Sequence, residues 1–328
     1  MAAVTPAARM ELSGTQRGDQ IFGLVLKIAS VLIIVVLVIL ALTLAGYSIP
    51  VLQKYGISYF IGSTWRPNAT DTKPSDFGAL PYIFGTIVTS IIALLVATPL
   101  AVGSAIYVSE YAPKWLGRPI SFAVELLVTI PSVAYGLWGL LVLVPFMRDT
   151  VQPFLQNVLG PIPIIGALFQ GQMYGQGLLT AGLLLAIMIL PTIMSLSREI
   201  IAQVPRLQKE GSLALGATKW EMLSMAVLPF AKPGILGAMV LGLARAFGET
   251  MAVTMVVGNA SSKITPSLFT PGYTIASAIA NQFTEANSPI HFSAIVGLGL
   301  ILMVVASAFN IVARTLVKRA TRMPGGAK

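Results

Sequence analysis

The stretch Ile28–Gly46 reads IASVLIIVVLVILALTLAG, 19 residues without a charge. An apolar run of that length matches the roughly 20 residues an α-helix needs to cross a bilayer core. It exceeds the ~7–15-residue core of a secretory signal, so Thr43-Leu44-Ala45 is read as part of a retained helix and not as a cleavage site. Five more runs follow the same rule: Leu80–Val108, Ile120–Met147, Gly175–Ser197, Gly234–Val257 and Phe292–Ala313. The second and third of the six, at 29 and 28 residues, are longer than a perpendicular crossing requires and must tilt, bend or emerge early. Pro99 and Pro131 are the natural bend points.

Composition agrees with six spans. Of 328 residues 55% are hydrophobic and 10% charged, with mean hydropathy +0.83, whereas soluble domains carry about 25% charge. There is no cysteine and one histidine, His291, which excludes a disulfide framework, a thiolate metal site and an iron-sulfur cluster. His291 stands at a span boundary and reads as interfacial. The net charge of +9 follows the positive-inside bias and not nucleic-acid binding. Fifteen basic residues fall on one side, among them Arg9, Arg17, Lys27, Arg198 and the tail residues Arg314, Lys318, Arg319, Arg322 and Lys328. Five fall on the other: Lys54, Arg66, Lys73, Arg148 and Lys263. This places both termini in the cytoplasm, with an N-terminal segment at 1–23, a transmembrane domain at 24–313 and a basic tail at 314–328.

Outside lie a polar loop, Tyr47–Ala79, and a second loop, Asp149–Tyr174, whose proline-broken run Val158–Phe169 is too short to span. That run is either a re-entrant or surface-lying hairpin or, the preferred reading, the packed foot of the loop. Asn68-Ala69-Thr70 and Asn259-Ala260-Ser261 match the glycosylation sequon, a pattern too short to carry weight.

Residues 203–233, QVPRLQKEGSLALGATKWEMLSMAVLPFAKP, form the most informative stretch outside the spans. Pro205 can open a short helix, Leu207, Leu213 and Leu215 supply apolar contacts, and Gly216 is a natural stop. Thr218 with Glu221 is a capping box that starts a second helix toward Leu228-Pro229. Gly211 and Gly216 have the spacing of a phosphate-binding loop, but Ala217 and Thr218 stand where Lys and Ser or Thr are needed. The chain therefore lacks that nucleotide-binding loop.

Three ionisable residues lie inside spans: Glu125 in the third, Arg245 and Glu249 in the fifth. Such groups are costly in the membrane and are functional candidates by default. A structural pair that fixes helix register is the alternative. Arg245 and Glu249 are four residues apart, which on one continuous helix puts them on one face within reach of each other. Glu125, Thr129 and Ser132 share a face by the same count. Arginine suits a tetrahedral oxyanion because its planar fork of donors is permanently charged. One arginine and two glutamates sum to −1, which calls for a basic residue from another chain or a protonated glutamate.

Two resemblances then enter. Glu210-Gly211-Ser212, Gly216 and Leu228-Pro229 resemble the cytoplasmic loop of ATP-binding-cassette (ABC) importer permeases, with departures at Gly211, Ser212 and Ala226. LGLARAFGETMAV at Leu241–Val253 and ELLVTIPSVAYGLWGL at Glu125–Leu140 resemble the phosphate-specific ABC importer permeases, the first of the two permease subunits in particular (the PstC family). That resemblance implies an all-α, six-helix protein of the type I importer architecture in a prokaryotic inner membrane. It also implies that residues 203–229 are coupling helices for a separate ATPase dimer holding ATP and Mg²⁺, with no cofactor in this chain. The remaining implied partners are a second homologous permease, an external phosphate-binding protein and inorganic phosphate, with passage at Arg245 and Glu249. An ion-driven secondary phosphate carrier, or an ABC permease for another oxyanion, is the alternative. Against the carrier, no internal repeat of the kind many carriers show is visible.

Overall fold

The computed structural model describes residues 13–68, 74–260 and 264–321. Arg9, Lys73, Lys263, Arg322 and Lys328, and parts of both sequons, lie outside the described residues.

The protein is all-α and spans a membrane, with helices set by the apolar runs. The first, α1, covers Ser13–Tyr55. Along residues 21–42 its large apolar side chains are exposed, as expected of a helix whose surroundings are apolar. From Ser48 onward the chain belongs to a second compact unit, where Val51 is fully buried and donates its N–H to Ser293 Oγ at 3.1 Å.

Within this unit α2 runs over Leu80–Tyr111, and α3 (Lys114–Thr129) is followed by α4 (Ser132–Leu159). The latter two are bent by 95° against each other at Ile130-Pro131, where Pro131 cannot donate to the helical ladder. Next come α5 (Leu178–Ala202), the short α6 (Arg206–Ala214) and α7 (Lys219–Gly248). A single-turn break leads to α8 (Met251–Val256), then to α9 (Ile275–Gln282) and α10 (Pro289–Thr321). Counting the bent pair as one, the described residues contain six candidate spans.

The body is organised by α2 against α5. Ala93, Ala97, Ala101 and Ala105 recur every fourth position on α2 and are fully buried, which lets two backbones approach as membrane helices do. Opposite them Gly182 leaves no room for a side chain, since a Cβ there would lie 2.7 Å from Ile92.

The stretch read as an outer polar loop, Tyr47–Ala79, is different in kind. The end of α1 and a two-residue antiparallel pairing of β1 (Trp65–Arg66) with β2 (Asp76–Phe77) enclose an aromatic cluster with Tyr59 and Tyr82 at its centre. Trp65 meets Phe77 and Tyr82 edge-on at 5.0 and 4.9 Å and donates its indole N–H to Gln282 Oε1 at 2.6 Å. Tyr59 donates to the Ala294 carbonyl at 2.7 Å, and burial pushes its phenol above the usual range. His291, at the start of the last span, is part of this cluster: it is 3% exposed and stacked on Phe77.

The run Val158–Phe169 is split between the end of α4, a tight turn with Ile164 at φ +71°, and a short 3-10 turn over Ile165–Phe169. Phe169 packs on Phe269 while Ile164 points outward, 92% exposed. The packed-foot reading holds for its C-terminal end and fails for its tip.

Close packing at Gly182 gives a stability test. Gly182→Val should cost about 1–3 kcal/mol through overpacking, seen as a lowered thermal midpoint. Gly103→Ala on α2, whose added methyl meets nothing within 4 Å, should be neutral or stabilising.

Candidate functional site

Arg245 sits one turn before the end of α7, which is drawn against α5 by small residues. Ala231, Ala238, Gly242 and Ala246 are buried along one side. A Cβ on Gly242 would come within 2.8 Å of Ile193, and one on Gly234 within 2.7 Å of Ile200. This approach brings the Arg245 guanidinium to α5, where Nη1 donates to Thr192 Oγ1 at 3.1 Å. Tyr135 of α4 lies within electrostatic reach of the same charge, and its hydroxyl donates to the Leu127 carbonyl across the bend at 2.9 Å.

The expected pairing of Arg245 with Glu249 is not formed. The fifth span is not one helix: α7 stops at Gly248, and Glu249 is extended at φ −71°, ψ 122°. Four residues correspond to neighbours on a face only while the helix continues. The Glu249 carboxylate instead accepts from the Ala252 N–H, in the first turn of α8, at 3.4 Å.

Glu125 is likewise elsewhere. Its Oε1 accepts from Arg198 Nη2 at 2.9 Å, joining α3 to α5. Thr129 remains on α3 and donates to the Leu126 carbonyl. Ser132 lies past the 95° bend, so the shared face expected for Glu125, Thr129 and Ser132 ends at Thr129. Charge is corrected in the same step: Arg245 and Arg198 balance Glu125 and Glu249, so the deficit of −1 disappears within this chain.

Sequence reasoning missed Thr192, Tyr135 and Arg198. Arg198 was assigned to the loop after the fourth span because the apolar run stops at Ser197, whereas α5 continues to Ala202. Pro191-Thr192 gave no signal, since a threonine inside an apolar run is unremarkable by itself.

The two broken spans back onto each other. On α4 a Cβ at Gly136 would stand 2.9 Å from the Ala252 Cα, and one at Gly139 would stand 2.9 Å from Val256. So α4 and α8 are in backbone-close contact beside the two breaks, which lie at Ile130-Pro131 and Glu249-Thr250.

At the other end, α6 and the start of α7 form the helix, glycine, helix unit. Gly216 adopts φ +88°, the left-handed conformation glycine accepts without strain. The Thr218 N–H donates to Glu221 Oε2 at 2.7 Å and the Glu221 N–H to Thr218 Oγ1 at 3.3 Å, a complete capping box. The second helix passes through a wide turn at Leu223–Val227 to Leu228-Pro229 and on into the fifth span. Lys209 ties α6 to Glu110 at the end of α2. Glu210 makes no ion pair among the described residues, and Gly211 has open space around it. Leu207, Leu213 and Leu215 do not pack inward: Leu207 and Leu215 are 83% and 91% exposed, and Trp220 is exposed too.

Broken spans, an arginine inside the bundle and a capped lever with an apolar outer face define a membrane transport permease. The family model for binding-protein-dependent transport system inner membrane components matches residues 97–322, and the chain belongs to that family. The phosphate transport system permease protein PstC of Xylella fastidiosa is 46% identical over 309 residues, 94% of this chain and 93% of that protein. The protein of the same name from Mesorhizobium japonicum is 43% identical over 318 residues, covering 96% and 95%. Two solved structures share the fold at 16% identity. The inward-facing MetNI methionine ABC transporter has a TM-score of 0.56 over 74% of this chain and 95% of that one. The bacterial alginate ABC transporter in complex with its pentasaccharide-bound periplasmic protein has 0.58 over 95% and 99%.

The Glu125–Arg198 contact is half-exposed, with side-chain exposures of 54% and 27%, so solvent screening limits its worth. A double-mutant cycle with Glu125→Gln and Arg198→Gln should return a coupling of no more than about 1 kcal/mol in unfolding.

Proposed function

We propose that this chain is a transmembrane permease subunit of an ATP-driven inorganic phosphate importer in a prokaryotic inner membrane. It forms half of the translocation pathway, with both termini in the cytoplasm. The observation that carries the reading is the state of Arg245. Its guanidinium lies among membrane-spanning helices, half-buried, held by one neutral hydroxyl and free of any carboxylate among the described residues. Most of its donors therefore remain for a tetrahedral oxyanion, and no internal pair has to be broken first.

Glu249, just past the helix end, supplies a carboxylate that accepts the proton of hydrogen phosphate, which fully ionised sulfate does not carry. Thr129 and Ser132 flank the opposing break and offer neutral hydroxyls. Weak, distributed contacts of this kind suit passage, since tight binding midway would oppose release.

The remaining partners follow from the surface. Exposed Leu207, Leu215 and Trp220 on a capped, glycine-pivoted lever form the face that docks on a separate ATPase dimer, which holds ATP and Mg²⁺. Glu210, Gly211, Gly216, Thr218, Glu221, Leu228 and Pro229 shape that lever and its continuation into α7. A second homologous permease supplies the other half of the pathway, and an external binding protein delivers phosphate.

The test is uptake by the full assembly in proteoliposomes. Phosphate should enter only with ATP. Arg245→Ala should lower the rate by at least about tenfold, since hydrogen bonds to charged groups contribute about 1.5–3 kcal/mol. Uptake driven by an ion gradient without ATP would instead establish a secondary carrier. Glu249→Gln should reduce the preference for phosphate over sulfate; an unchanged ratio with both rates lowered would assign the residue to gating.

A further inference from the structure

A second basic site lies away from the broken spans, at the end of the body that carries α6. There the ends of α2 and α5 and the beginnings of α3 and α6 enclose a cleft of about 610 Å³ lined by Arg118, Arg198, Arg206 and Lys209. Its acidic lining residues are Glu110 and Glu199. Four positive and two negative groups give +2, and adding Glu125, which pairs with Arg198 from outside the lining, still leaves +1.

The pairing within the cleft shows which charges are spoken for. Lys209 is bound to Glu110 and Arg198 to Glu125. Arg118 on α3 and Arg206 at the first position of α6 make no ion pair among the described residues. The lining also holds Ser109 Oγ, which is buried and has no hydrogen-bond partner. Two guanidiniums that line one cleft and make no ion pair among the described residues match the acceptor oxygens of a phosphate group.

We propose that this cleft binds a phosphate-group anion that bridges α3 to α6 and so braces the coupling lever against the body. Two sources present the same chemistry: free inorganic phosphate, or the headgroup of an anionic phospholipid, which basic pockets between membrane helices are suited to hold. The site is distinct from Arg245, and its occupancy does not depend on the transport reading.

The experiment is thermal unfolding of the purified full transporter in the Arg245→Ala background, so that phosphate at the pathway arginine does not register. One arm adds inorganic phosphate against sodium chloride at matched ionic strength; the other compares nanodiscs containing phosphatidylglycerol with phosphatidylcholine alone. Protection of about 2 °C or more in either arm is expected, and the arm that responds names the source. The protection should vanish in Arg118→Gln/Arg206→Gln. Hydrogen exchange on the assembly without those two substitutions should show the same ligand slowing exchange over 107–118 and 206–214, which keeps the test decisive if the double variant does not assemble. No protection in either arm, equal protection in the double variant, or slowed exchange confined to other segments would overturn the site.

Discussion

Inside a bilayer a helix can be interrupted only where protein covers the backbone groups that the interruption frees. The middle of this permease rests on that constraint. Its third span turns through 95° at Ile130-Pro131 and its fifth stops at Gly248. The continuing segments, α4 and α8, are packed so closely that Gly136 and Gly139 admit no side chain. The Tyr135 hydroxyl takes up a carbonyl on the far side of the first break. Beyond the two breaks, α4 and α8 thus pack directly on each other.

That arrangement decides the electrostatics. Had the fifth span been continuous, Arg245 and Glu249 would have faced each other one turn apart and neutralised each other. The stop at Gly248 turns Glu249 toward the amide of Ala252 and leaves Arg245 with the Thr192 hydroxyl. A guanidinium in that state is costly to hold without an anion, and the proposed passage of phosphate at Arg245 rests on that. The same break ends α7, whose other end carries the capping box of Thr218 and Glu221, so one helix joins Arg245 to that capped turn.

Much of this was legible in the sequence. Apolar runs located five long helices and the bent pair, Pro131 marked the sharp bend whereas Pro99 lies within the continuous α2, and Thr218 with Glu221 announced the capping box because its chemistry is local. The break at Glu249 was not legible, since Gly248-Glu249-Thr250 contains no proline and a glycine inside an apolar run reads equally well as packing. The pairing of Arg198 with Glu125 was not legible because hydropathy ends at Ser197 while the helix runs on to Ala202. Tyr59, Trp65 and His291 escaped because a run rich in polar residues does not reveal that its aromatics gather on the ends of distant helices. Local signals carried through; the charge partners, which depend on which helices meet, did not.

The central claim is that a helix break, and not an ion pair, sets the state of Arg245. Its most direct test is a charge exchange, Arg245→Glu with Glu249→Arg, compared with each single change by ATP-dependent phosphate uptake at equal assembly. With the two residues uncoupled, the exchanged variant should be as inactive as the worse single variant. Recovery of a large share of the original rate would mean that the two charges act as a pair, and would contradict this account.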